Sequence, residues 1–167
     1  MKRLVVIVGA NAVGKTTTAK CLVDKLPKTA YVDSDWCRFI NPFPFTEVTK
    51  KTVTKNMYDI LCNYLVCEEI ENVIFTYSWH GERKEIYDKL ISELRSNEIK
   101  FEEKILVLKC SEEENISRAE KDGRDRTRIE RGMKNTFSFY DVYDYPSIDS
   151  TNMSTNEVAE RIIELIL

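Results

Sequence analysis

Apolar positions along this chain switch between short unbroken runs and longer stretches in which they recur every three or four residues. The first run, Leu4-Val5-Val6-Ile7-Val8, is mostly β-branched and predicts a strand buried on both faces, the type found inside parallel sheets. Ala30-Tyr31-Val32, Val73-Ile74-Phe75-Thr76-Tyr77 and Lys104-Ile105-Leu106-Val107-Leu108 predict three more strands, and Pro146-Ser147-Ile148-Asp149 a short last strand or turn. Between them the spacing is helical. Ala19, Leu22, Val23 and Leu26 form the inward stripe of a helix over about 16–26, which Pro27 ends. Val53, Met57, Ile60, Leu61, Tyr64 and Leu65 do the same for a long helix over roughly 47–71, and Ile86, Leu90, Ile91 and Leu94 for one over about 82–96. Ser111 with Glu114, and Ser154 with Glu157, have capping-box spacing ahead of two further helices, the last with Val158, Ile162, Ile163 and Ile166 facing inward. Asn41-Pro42-Phe43-Pro44-Phe45 predicts a rigid turn, because each proline restricts itself and its neighbour. Strands alternating with helices predict an α/β three-layer sandwich around a parallel sheet, one domain over 1–167 without repeats or linkers.

The chemistry begins where the first strand ends. Gly9-Ala10-Asn11-Ala12-Val13-Gly14-Lys15-Thr16 fits G-x-x-x-x-G-K-[ST], the phosphate-cradling P-loop. Gly9 and Gly14 can take backbone angles that a Cβ forbids, letting successive N–H groups converge on anionic oxygens. Lys15 supplies a point charge for the β- and γ-phosphates, and the Thr16 hydroxyl can ligate Mg²⁺. Thr17 opens a helix whose positive end would face the phosphates. A chance match would be an ordinary glycine-rich turn. Here a strand precedes and a helix follows, the context the motif requires, so a bound nucleoside triphosphate is expected.

Composition narrows the classes. Net charge is −3 at pH 7 and the pI about 5.4, which argues against a general nucleic-acid or membrane-surface binder. No apolar run approaches the ~20 residues needed to span a bilayer. Met1-Lys2-Arg3 leads straight into a strand and so does not read as a signal peptide. Five cysteines without C-x-x-C spacing and a single histidine make a zinc site improbable, and suggest free, mostly buried thiols in a reducing cytoplasm. The lone His80 also disfavours a Ser/His/Asp or Cys/His hydrolase. Nothing decides between a monomer and a homodimer.

Three constellations could complete the site. No N-K-x-D-type guanine reader and no D-x-x-G switch is present, which disfavours the translational and signalling GTPases. The strand 73–77 ends in Thr-Tyr-Ser-Trp and offers no carboxylate for a metal. Asp33 and Asp35 are placed for that work. They are two apart, so on an extended chain they point to one side, one serving the metal and the other an acceptor hydroxyl. The alternative is a turn that merely caps a strand. Second, Arg118 and the segment Lys121-Asp122-Gly123-Arg124-Asp125-Arg126-Thr127-Arg128 could place cations in a lid over the phosphates; the alternative is a solvated helix of interleaved charges. Third, Ser78, Trp79, His80 and Arg83 stand at the exit of the third strand and could line an acceptor pocket, Arg83 meeting an anionic group, with Trp36, Arg38 and Phe39 opposite. Packing is the alternative for both tryptophans.

These features in this order resemble the small P-loop kinases built like nucleoside monophosphate kinases, including the shikimate kinase, gluconate kinase and chloramphenicol phosphotransferase groups. The resemblance runs from Gly9–Thr16 through Asp33-Ser34-Asp35 to Arg118, ending at Ile148-Asp149-Ser150-Thr151. It implies a five-stranded parallel sheet in order 2-3-1-4-5, with ATP and Mg²⁺ as cofactors. It also implies that Asp33 is the Mg²⁺-side carboxylate, that Asp35 faces the acceptor hydroxyl, that Arg118 lies beside adenine and phosphates, and that 149–152 is the adenine-side loop. The Gly-Gly-Gly of shikimate kinases and the Gly-Phe-Pro-Arg of adenylate kinases are both absent; Ser78-Trp79-His80-Gly81 stands at the corresponding place. The expectation is an ATP:small-molecule phosphotransferase with catalytic Lys15, Asp35, Arg118 and Arg124, a substrate-binding segment over about 36–71 and a lid over about 118–134. The rival is a nucleotide-binding NTPase or regulatory protein without a small acceptor.

Overall fold

Residues 4–8 have no exposed surface, and their place in the sheet is the reason. In the computed structural model, which describes residues 1–44 and 46–167 with Asn135 by its backbone alone, β1 (Lys2–Val8) is the central strand. It pairs in parallel with β3 (Asn72–Tyr77) on one side and β4 (Phe101–Lys109) on the other. β2 (Thr29–Asp33) pairs with β3 and β5 (Ser147–Asp149) with β4, both parallel. The order is therefore β2-β3-β1-β4-β5, as the resemblance implied.

Alternation along β1 feeds two cores. Leu4, Val6 and Val8 join Met57, Leu61 and Leu65 of α2 (Glu47–Val66) and Leu90, Ile91 and Leu94 of α3 (Arg83–Ser96). Val5 and Ile7 join Leu22 of α1 (Lys15–Lys25) and Val158, Ile162 and Ile166 of α6 (Thr155–Ile166). A strand covered on both faces needs no polar face, and each of its large side chains contributes about 1.5–3 kcal/mol on burial. The connection from β4 to β5 carries α4 (Glu112–Lys121) and α5 (Arg126–Thr136). Short 3₁₀ turns occupy Trp36–Arg38 and Ser138–Val142.

Several boundaries differ from the pattern reading. α2 stops at Val66, short of 71, where Cys67 turns extended. Its last turn has no basic residue of its own, and Lys2 supplies one, its ammonium donating to the carbonyls of Cys67 and Ile70. β4 starts at Phe101 because Phe101–Lys104 pairs with Lys2–Val5 although its side chains are only half-buried. Ser154 and Glu157 make both halves of their capping box. At Ser111 only half forms: the Glu114 N–H donates to Ser111 Oγ at 3.2 Å, while Arg118 takes the Glu114 carboxylate at 2.7 Å. Thr46 and Thr49 form a box that the spacing did not suggest. Phe45, the last residue of the proline-rich turn, lies outside the described residues. Of the five thiols only Cys37 and Cys110 are buried; the other three are half-buried.

Trp79 is a packing residue. It has no exposed surface, and Tyr87, Tyr143 and Tyr145 surround it with ring centroids at 5.2, 5.4 and 5.5 Å. Its backbone N–H donates to the Tyr140 hydroxyl at 2.8 Å. That bond fastens the exit of β3 to the 138–142 turn.

The tightest steric constraint is at the exit of β1. A Cβ on Gly9, at φ +153°, would stand 2.3 Å from the Leu108 carbonyl oxygen of β4. Gly9→Ala is expected to cost at least about 1–3 kcal/mol in urea unfolding. Gly132→Ala, on α5 with open space around it, should be neutral or stabilising by up to about 1 kcal/mol. Equal midpoints for the two variants would show that the close approach is not there.

Candidate active site

All strands being parallel, their carboxyl ends gather at one edge, where ligands of such sheets bind. There Gly14, at φ +100°, is the N-cap of α1, whose first turn has neither a side-chain cap nor an acidic residue. Ala12 takes φ +64°, uncommon without glycine and a feature the motif did not foretell. The Lys15 ammonium donates to the Gly9 and Ala10 carbonyls, each at 2.8 Å. Burial pushes it down to about 8, against the pull of Asp35 and Asp33 and with the push of Arg124 and Arg83.

Asp33 ends β2 and is buried. Its Oδ2 accepts from Thr16 at 3.0 Å and from Tyr31 at 2.7 Å, and its Oδ1 from the Asp35 N–H at 3.0 Å. The Tyr31 and Thr76 hydroxyls lie 3.1 Å apart. Burial, with the Asp33 carboxylate beside it, pushes the Tyr31 phenol well above its ordinary range, so it stays a donor at neutral pH. The pairing of Thr16 with Asp33 is the one both motifs required. Tyr31 was missed; its place two residues before Asp33, on the same side of the strand, was the available signal.

The extended-chain argument for Asp35 needs correction. The chain turns at Ser34, and Asp35 is helical at φ −69°, ψ −28° as N-cap of the 36–38 turn. It still faces the cleft, because the Asp33 carboxylate holds its N–H. Arg38 grips one Asp35 oxygen with Nε at 2.9 Å and Nη2 at 2.5 Å.

Two cavities flank this turn. The first, about 280 Å³, is lined by Asn11, Ala12, Gly14–Thr17, Asp33–Asp35, Ser78, Arg118 and Arg124, with Lys121 and Thr76 added. The second, about 320 Å³, is mainly apolar, with Phe43, Val53, Met57 and Ile86 beside Arg38, His80 and Arg83. Ser34, Arg38 and Tyr77 line both. The expected acceptor residues are thus divided, Asp35 and Ser78 on the phosphate side and His80 and Arg83 on the apolar side. Trp36 joins neither. It is 55% exposed and packs edge-on against Tyr31 with centroids 4.9 Å apart. Phe39, 97% exposed, lines neither. Burial, with Arg83 close by, pushes His80 down to about 4, so its imidazole is neutral at pH 7. Gly9, Ala10 and Val13 lie behind the loop and do not line the first cavity.

Arg118 is a bracket. Nη1 donates to the Val13 carbonyl and to Ser150 Oγ, both at 3.0 Å, and Nη2 to the Ser150 carbonyl at 2.8 Å. It thereby ties the P-loop to the 149–152 loop. Buried Asn115, unremarked in the sequence, holds the Asn11 carbonyl from the same helix at 2.8 Å. In the basic segment Arg124 alone of the three arginines lines the phosphate-side cavity, pairing with Asp122 at 3.4 Å. Arg126 pairs with Glu130 and projects into solvent, and Arg128 is exposed.

No family model and no curated protein matches the chain. Solved structures do. The tunicamycin resistance protein of Deinococcus radiodurans is 19% identical, over 99% of this chain and 96% of that one, at a TM-score of 0.67. The APS kinase of Mycobacterium tuberculosis, solved with AMPPNP and APS, is 16% identical over 99% and 97% at 0.66. A gluconokinase of Sinorhizobium meliloti is 13% identical over 97% and 90% at 0.65. The chain has the fold of the small P-loop kinases.

In this P-loop kinase fold the donor side suits a hard cation. Thr16 Oγ1 and Asp33 Oδ2 are both oxygen donors, 3.0 Å apart at the edge of the cleft. Among the described residues no group of three or more His, Cys, Asp or Glu is gathered to hold a metal. Few protein ligands, with room for phosphate and water oxygens, is what Mg²⁺ favours. No described helix is long and apolar enough to cross a membrane.

The lowered Lys15 gives a pH signature. Below pH 8 the free protein already carries the charge, so triphosphate binding exchanges little at this group. Above pH 8 the free lysine is neutral, and phosphate oxygens, by raising its pKa, make binding take up a proton. Calorimetry in buffers of different ionisation enthalpy should find an uptake approaching one proton at pH 9, absent in Lys15→Ala. No uptake at pH 9 would place the lysine pKa elsewhere.

Proposed function

We propose that this chain is an ATP- and Mg²⁺-dependent phosphotransferase acting on a nucleotide, a nucleoside or a small polar metabolite. The observation that carries this reading is the pair of cavities that share Ser34, Arg38 and Tyr77, one lined by the P-loop and Asp35, the other apolar and fenced by arginines. A simple NTPase needs only the first.

On the donor side residues 9–17 would cradle the triphosphate. The α1 amides face it without competing caps, and Lys15 exchanges its carbonyl partners for phosphate oxygens. Thr16 and Asp33 would hold Mg²⁺, which would supply positive charge to offset that of the phosphate oxygens. Tyr31 fixes the Asp33 carboxylate by a 2.7 Å bond. Asp35 orients the acceptor hydroxyl and takes its proton as that oxygen gains the phosphoryl group and the bond to the nucleoside diphosphate breaks. Arg124, in the segment 118–134 that would cover the cleft as a lid, adds positive charge where it develops on the transferred oxygens, while Arg118 keeps the loop in place. The segment 36–71 supplies the acceptor wall.

An acceptor panel that includes an oligonucleotide 5′ end tests this reading. ATP consumption should rise sharply with one acceptor. A flat panel with slow hydrolysis alone would favour the NTPase or regulatory alternative. Asp35→Asn should lower transfer by about 10²–10⁴-fold while ATP affinity stays within a few-fold, and Lys15→Ala should weaken ATP binding. Turnover that survives Asp35→Asn would remove Asp35 from the acceptor side.

A further inference from the structure

The apolar cavity contains a cation without a paired carboxylate. Arg83 is half-buried and makes no hydrogen bond or ion pair among the described residues. Removing a guanidinium from water without a partner is costly. Its position makes matters worse. It is the first residue of α3, where the helix end is itself positive, and Arg38 repels it further. Glu85 in the first turn lies outside this cavity, and Glu82, the N-cap that lines it, is taken by Lys50 at 2.7 Å. Lys50, in the same wall, is committed to Glu47 and Glu82. Of the six α-helices among the described residues, α1 and α3 alone begin without a side-chain cap. Each opens on one of the two cavities. His80 adds a neutral imidazole whose buried Nδ1 has no partner among the described residues.

Arg38 stands between the two sides. It lines both cavities, and its guanidinium is clamped on the carboxylate assigned to receive the acceptor proton. That carboxylate is cancelled by an ion pair, and the pair sits beside an uncompensated positive charge. An anion entering the apolar cavity would meet Arg83 and Arg38 together and relieve their repulsion.

We infer that the apolar cavity takes a compact acceptor with an apolar body and an anionic group, and that this anion draws Arg38 off Asp35. The carboxylate is then free only when the acceptor is in place. The latch rests on the kinase reading for what Asp35 does next; the anion site stands without it. Uncharged alcohols and nucleosides are poor acceptors on this account, because they leave Arg83 unpaired and Asp35 engaged. Such a latch also limits futile hydrolysis, since water alone does not release the base.

The test uses the full chain without nucleotide, so its outcome is separate from that of the acceptor panel. Benzoate and phenyl phosphate are titrated against benzyl alcohol, an uncharged molecule of similar shape, with binding followed by calorimetry. At least tenfold tighter binding of one anion than of the alcohol is expected, and that preference should be lost in Arg83→Gln. The tighter anion names the group, carboxylate or phosphate monoester. Equal binding of all three probes, or no binding by either anion, overturns the anion site without variants, so a misfolded Arg83→Gln cannot hide the answer. For the latch, the Arg38 Nε–H resonance, identified by its loss in Arg38→Lys, is followed by ¹H–¹⁵N NMR. It should shift when the bound anion saturates the wild type and stay in place with benzyl alcohol. An unmoved resonance at saturation refutes the latch even if the anion binds.

Discussion

Parallel pairing of all five strands is the constraint on which the rest depends. Parallel neighbours cannot be joined by tight turns, so every connection crosses the sheet through a helix and every strand leaves at the same edge. Gly9, Ser34, Ser78, Cys110 and Ser150 are therefore all exits on one rim. β1, buried on both faces, puts the P-loop at the middle of that rim, and the β2-β3-β1 order puts Asp33 two strands away, within reach of Thr16. The separation is bridged by hydroxyls: Tyr31 of β2 and Thr76 of β3 connect the strands beneath the carboxylate. The proposed phosphate site and its proposed metal-side carboxylate are thus products of strand order as much as of motif.

Much of the fold was legible because burial writes itself into period. The five-residue apolar run is β1, and the strand order implied by resemblance is the one observed. The P-loop was equally plain, since its glycines answer local steric demands. The misreadings fall where long-range contact decides. α2 ends just before Cys67, whose carbonyl accepts from Lys2, sixty-five residues away; no local pattern holds that. Asp35 faces the cleft through a turn that the Asp33 carboxylate stabilises, where the extended-strand rule predicted the same side for another reason. Glu114 was assigned to a cap, yet Arg118 competes for it and wins. Trp36 and Trp79 had equal claims on a binding pocket. One is encased by tyrosines and the other leans on Tyr31 from the solvent side. Only tertiary packing separates them.

The site is also unevenly compensated. On the phosphate side the carboxylates of Asp33 and Asp35 offset Lys15, and their pull limits how far burial lowers its pKa. In the apolar wall Arg83 has no carboxylate paired to it, and burial and Arg38 outweigh the pull of Asp35. Charge is better balanced where a triphosphate would bind than where a second molecule would enter. This asymmetry distinguishes the two cavities more sharply than their similar volumes do.

The Arg118 bracket has a mechanical consequence. Three of its hydrogen bonds join α4 to the P-loop carbonyl and to Ser150, and Asn115 adds a second tie on the same helix. α4, the P-loop and the 149–152 loop are therefore tied together. Gly123, at φ +72° with open space around it, closes α4: its own N–H donates to the Glu120 carbonyl at 2.9 Å and the Arg124 N–H to the Ala119 carbonyl at 3.1 Å. The tie thus reaches as far as the backbone of Arg124, the one arginine of the basic segment that lines the phosphate-side cavity. Arg126 and Arg128 lie beyond it, on the helix that Asp125 caps.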